Sequence, residues 1–316
     1  EDVNYSGGAG RDLSTSLGVP VPNAVVELFD STGHFIGEQA TETAAPFRYK
    51  FEGLAGGNYF VRVVGDSVTS TRPLLGVVPA QGVPTFRTDA VSGVALPVTN
   101  EVGGFRPDQP DASEAGIGDI LDLSTFMFTV GPPGVAQTVT QVHVEPGSTT
   151  VSDVDFGFNF DLITHTSPSS PGSLAQFMFN ANHLGNAGLA QDGLTPGAEN
   201  AIFMISNGTD APGLRSSNDY LIAGVAQIAL TAPIEPSSEQ VVIDAERQPG
   251  HVATPLVALD GTAAGPGVNG FELLAAGCVV RGFTIGGFDG SGILVSAKLR
   301  DEIGRNARIR SQRRFD

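Results

Sequence analysis

Tryptophan is missing from this chain of 316 residues, cysteine occurs once, at Cys278, and lysine only at Lys50 and Lys298. A single cysteine excludes an intramolecular disulfide framework and a cysteine-built metal site. Cys278 sits beside Val279 and Val280 and reads as a small core residue, with a reactive thiol as the alternative. No apolar run approaches the roughly 18–20 residues that a membrane-spanning helix needs. Glu1-Asp2-Val3 carries no mark of a secretory leader, so a processed form or an excised piece is expected. The scarcity of lysine points to genome composition more than to function.

What the chain does have is glycine, 41 residues, and proline, 21, with 41% of its residues apolar. That balance describes a turn-dense all-β protein with enough apolar surface to fold. The length suits two domains. The formal charge of −17 is unevenly spread. Residues 298–316 hold seven basic and three acidic side chains, whereas residues 1–297 hold 10 basic and 31 acidic, a net of −21. An acidic body argues against nucleic acid as a partner.

The first half is written in period two. Val21–Asp30 alternates, and Asp30-Ser31-Thr32-Gly33 signals a hairpin into a return strand from His34. Phe47, Tyr49 and Phe51 share one face of an expected third strand. After the turn Gly53–Gly57 comes a fourth, with Tyr59, Val61 and Val63 on one face. A short strand is also expected at Asp2–Tyr5. The alternation Val142-His143-Val144 sends His143 to solvent, and no second metal ligand lies near it in sequence.

These segments, with the closing run Asp153-Val154-Asp155-Phe156-Gly157-Phe158, resemble the B-type repeat domains of bacterial surface adhesins. The resemblance implies a prealbumin-like Greek-key β-sandwich over residues 1–161, with a long insert at about 67–150. Some members of that family carry a Lys–Asn isopeptide bond built from a first-strand lysine. This chain has none there, and a bond between Lys50 and Asn159 is disfavoured. Other members bind calcium through Asp-x-Asp-x-Asp-Gly loops, which are missing here. Asp153, Asp155 and Asp161 stay as weak metal candidates, so Ca2+ is the one cofactor considered. Asp153 and Asp155 are two apart and are expected on one sheet face, where a solvated edge strand protected by charge is the favoured reading.

In the second half, Ser173 is placed to cap a helix over 173–184 whose apolar residues Leu174, Phe177, Met178 and Ala181 follow the i, i+3, i+4, i+7 pattern. Gly185 is its expected stop. Beyond a loop, short β-branched and leucine-rich runs recur, each ended by Gly, Asp or Asn, with starts at 241, 256 and 271. Residues 162–296 resemble the entry segment and first coils of right-handed parallel β-helix, pectate-lyase-like surface repeats, with Ala175 where that family usually has arginine. The resemblance implies a solenoid whose open end is lidded by helix 173–184. Residues 297–316 read as a basic tail or a second capping helix.

Enzymes of the β-helix type place carboxylates, or calcium with an arginine base, on one face of neighbouring coils. The candidates are Asp244, Asp260, Asp289 and Arg281, and turn-capping is the favoured role for each Asp. No Gly-His-Gly or Arg-x-Lys element, phosphate loop or nucleophile elbow is present. The expectation is therefore an all-β chain, a Greek-key sandwich followed by a short parallel β-helix, without catalytic residues. It would serve as an extracellular structural or adhesive module of a bacterial cell-surface protein, self-associating or binding a surface or matrix glycan. The alternative is a polysaccharide lyase or glycoside hydrolase.

Overall fold

The structure is a computed structural model that describes residues 1–8, 18–76, 80–147, 150–191, 193–209, 211–238 and 240–296. The basic segment 297–316 lies outside the described residues. Strands dominate, and one α-helix is present among the described residues.

In the first half, strands β1 (Val25–Phe29), β2 (Phe35–Ala40), β3 (Gly57–Val63), β4 (Val83–Asp89), β5 (Leu96–Val98), β6 (Ile120–Asp122), β7 (Met127–Val130), β8 (Val139–Val144) and β9 (Phe156–Asn159) form two antiparallel sheets and a hairpin. The sheet orders are β2-β1-β3-β8 and β5-β4-β9, and β6 pairs with β7. Asp30 builds the β1–β2 turn. Its carbonyl accepts from Gly33 N at 3.0 Å and its carboxylate from Thr32 N at 2.7 Å. Gly33 takes φ +86°, and a Cβ there would collide with the Leu121 carbonyl oxygen.

The period-two pattern does its work between these sheets. Val26, Leu28, Val61, Val63 and Val142 of the first meet Phe158 of the second in one core. The opposite face of the first sheet is also covered. Phe29 and Val139 pack there with Ala115, Leu121 and Ala136.

Three expectations for this half need correction. The stretch 67–150, read as an insert, supplies β4 and β8, which pair with β9 and β3 and are integral to both sheets. The third strand, around Phe47–Phe51, joins no ladder. The expected alternation survives there, with Phe47, Tyr49 and Phe51 half-buried and Arg48, Lys50 and Glu52 exposed, and Tyr49 is tied by its hydroxyl to Val154 O at 2.6 Å. Asp2–Tyr5 forms a turn closed by Tyr5 N to Asp2 O at 3.2 Å, because Tyr5 is drawn into a core with the second half.

The second half comprises β10 (Leu162–Ile163), α1 (Leu174–His183), β11 (Glu199–Asn200), β12 (Ile202–Phe203), β13 (Leu221–Ile222), β14 (Val225–Ala229), β15 (Val241–Asp244), β16 (Val257–Asp260), β17 (Phe271–Leu273), β18 (Val279–Arg281), β19 (Phe283–Gly286) and β20 (Ile293–Val295). Its ladders are parallel: β10 with β12, β11-β15-β18, β14-β16-β19 and β17-β20. Among the strands of the described residues there, β13 pairs antiparallel with β14, and Asn207 and Asp219 form an isolated antiparallel bridge. The chain visits the three main ladders in the same order twice, β15-β16-β17 and then β18-β19-β20. The starts near 241, 256 and 271 therefore mark three sides of one circuit and not three successive rungs. Register stacks like on like, Ala226 on Val257 on Phe283 and Ile228 on Leu259 on Ile285, so apolar rows run through the interior.

Helix α1 lays Leu174, Phe177, Met178 and Ala181 against that interior. Ser173 Oγ accepts from Gln176 N at 3.0 Å. The helix ends at Leu184, whose N–H bonds Asn180 O, one residue before the expected glycine. Ser173→Ala is expected to cost about 1 kcal/mol, read as a lower urea midpoint at unchanged m value. An unchanged midpoint would mean that the cap contributes nothing.

Candidate functional site

Among the four solenoid candidates, two come together. Asp244 ends β15 and Arg281 ends β18, and the ladder register sets them side by side. Asp244 is buried. Its Oδ2 accepts from Arg281 at 2.5 Å and lies 3.4 Å from Arg247 Nε, while its Oδ1 accepts from Glu246 N at 3.2 Å. The bond to Asp244 holds Arg281 above its ordinary pKa, with the nearby Glu246 adding to it. That is the wrong direction for an arginine base, which must shed its proton to act. Asp260 and Asp289 act separately in turns. Asp260 Oδ1 accepts from Thr262 N at 2.9 Å, and Asp289 Oδ2 accepts from Gly267 N at 2.8 Å. The four form no common cluster in these contacts.

The acidic trio divides. Asp153 takes a left-handed φ of 62° and β9 begins only at Phe156, so the strand period that would put Asp153 and Asp155 on one sheet face does not apply. Burial raises the Asp155 carboxyl, and Asp153 raises it further. Asp161 lies in a different place, on Arg72 at 2.8 Å with Gln191 Nε2 donating to its other oxygen at 2.7 Å. No group of three or more His, Cys, Asp or Glu is placed to hold a metal ion among the described residues.

The other candidates have structural partners. His143 is half-buried, with Nδ1 2.6 Å from Asn58 Oδ1 and Nε2 3.3 Å from Glu145. Half-buried Cys278 packs on the core of the second half. Lys50 is 74% exposed and pairs with Glu52, while Asn159 is buried and donates to Asp2 O at 2.9 Å. The pair has none of the buried contact that an isopeptide bond needs.

Two of the polar centres that sequence reasoning missed lie where the halves meet. At the first, Arg72 Nη1 bonds Glu199 at 2.9 and 3.0 Å, Nη2 bonds Asp161, and Nε lies 3.5 Å from Glu1. All four side chains are less than a tenth exposed. At the second, Glu101 pairs with Arg87 at 3.1 Å and with Arg215, whose guanidinium lies over the Phe105 ring. Burial, with Arg87 nearby, pulls Arg215 down to about 10. Tyr220 adds a hydroxyl bond to Asp108 at 2.9 Å. Between these centres, Tyr5, Val83 and Val102 share a core with Leu162, Ile202, Met204 and Leu214. The two halves are thus joined by a packed, ion-paired contact. Its charged members stand tens of residues apart in the chain, and no local pattern marks them.

No family description, no curated protein and no solved structure matches this chain.

Proposed function

We propose that this chain is an extracellular structural or adhesive module of a bacterial surface protein. An adhesin-type Greek-key β-sandwich at residues 1–161 carries a short right-handed parallel β-helix at 162–296, lidded by helix 173–184. The observation that carries the reading is the stack of parallel ladders entered beneath α1 and ending in β18, β19 and β20. Among the described residues, those three strands have no ladder partner on their outer edge. Such edges are templates for strand addition. The packed contact between the halves supports the same reading, because a projecting module needs its parts held in fixed relation. Its work on this view is to self-associate through the solenoid end or to hold a surface glycan.

The test is sedimentation of the purified chain over a hundredfold range of concentration, with electron microscopy for filaments and a glycan array alongside. Assembly that grows with concentration, or retention of one glycan class, is expected. A strict monomer that retains no glycan would remove the proposal.

A further inference from the structure

The Arg72 centre carries more negative charge than its surroundings balance. One guanidinium faces three buried carboxylates, Glu1, Asp161 and Glu199. The remaining neighbours are neutral or committed. Gln191 donates to Asp161, Ser70 and Thr71 hydroxyls donate to Glu1, and the Glu1 amino group donates to Val19 O. With every acid ionised, three carboxylates would face one guanidinium and the Glu1 ammonium, a net charge of −1, which a dry interior opposes. Asp161 and Glu199 occupy neighbouring nitrogens of the same guanidinium, which sets their carboxyl groups side by side. Two ionised carboxylates so placed are acceptors only and repel, and one proton turns that repulsion into a hydrogen bond.

We propose that the contact between the two halves is an acid-tightened lock, closed by a single proton that Glu199 holds beside Asp161. The elements it ties are the Arg72 segment and residues 1–5 on one side and β10–β12 on the other. Burial first, and then the Asp161 charge, push the Glu199 carboxyl up to about 8 against the pull of Arg72. The sign follows directly. The docked state keeps a proton that the separated state, with an ordinary glutamate near 4.5, gives up. Docking is therefore strongest below about 4.5, weakens as pH rises, and levels off above about 8. For one proton the docking equilibrium changes by up to about tenfold per pH unit within that window.

The experiment is native-state hydrogen exchange on the whole chain at pH 5, 6, 7 and 8, corrected for intrinsic exchange. The junction is read at the amides of Leu75 and Gly185, which bond His183 O and Pro73 O across it. Control amides are those of Val61 and Val142 in the first sheet. Protection at the junction is expected to fall at least tenfold from pH 6 to pH 8 while the controls hold. Glu199→Gln supplies a permanent N–H donor to Asp161 and is expected to flatten the profile without lowering protection at pH 8. Asp161→Asn is the second variant, should Glu199→Gln fail to fold. A flat wild-type profile, a full slope in the folded variant, or a parallel fall at junction and control amides would each overturn the lock.

Discussion

Arg62→Met is expected to destabilise the protein by about 3–5 kcal/mol, the cost of leaving buried charges without their counter-ion. Arg62 and Glu27 are both fully buried, with Nη1 2.8 Å from Glu27 Oε2. Asp111 lies 3.2 Å from Nη2, and the same guanidinium donates to the Ala112 and Ser113 carbonyls. Burial raises both carboxyl groups above their ordinary values even with the arginine in place, so their desolvation is only partly offset. Without Arg62 they must either stay charged in a dry core or take up protons. The deficit should therefore be largest at neutral pH and shrink toward pH 4, where protonation neutralises them. Adding Glu27→Leu to Arg62→Met should recover part of the loss, since an apolar pair suits the surrounding Phe29 and Phe128. Urea unfolding at pH 7 and pH 4.5 measures both effects. A loss below about 1 kcal/mol at pH 7 would make the network a bystander.

That centre also marks where sequence reading stopped. Val26 and Leu28 were legible as core because they alternate, and the same alternation sends Glu27 to the opposite face. Whether that face meets water is decided by residues 111–139, which fold over it, and nothing in β1 records their arrival. Arg62 reads as an exposed strand residue for the same reason. Its partners stand 35 and about fifty residues away. The helix over 174–183 was legible because cap, apolar spacing and stop lie within one short window. Some strands of the second half were legible as units, since β15 and β16 end at Asp244 and Asp260, but the run from Cys278 divides into β18 and β19 in different ladders. Their arrangement into sides and rungs was not, because circuit length varies. Val242 to Val279 spans one circuit in the first ladder, and Phe271 to Ile293 spans a shorter one in the third. Among the candidate polar residues, Asp244 and Arg281 met because the ladder register joins them. Asp161 was noticed for its neighbours in sequence, but its partners Arg72 and Glu199 come from distant segments.

Phe283→Ala should be the most damaging single truncation in the second half. Its ring stands edge-on to two others, 5.8 Å from Phe203 and 5.4 Å from Phe271, and so ties β12, β17 and β19 together inside the second half. Phe203 and Phe271 are at most 1% exposed, which leaves no water to fill the space and little slack to close it. The expected cost is about 3–5 kcal/mol, from lost transfer energy, the cavity, and two edge-to-face contacts. Phe283→Leu, which keeps most of the volume, should cost roughly half as much. Truncating Phe203 as well should add less than its separate cost, because the shared contact is already gone. The common core of Tyr5, Val83, Ile202 and Met204 predicts that both halves lose structure in one transition. The measurement is calorimetry with a parallel probe of first-half tyrosines. Two separated transitions, with the first half unmoved by Phe283→Ala, would show that the shared core does not couple the halves.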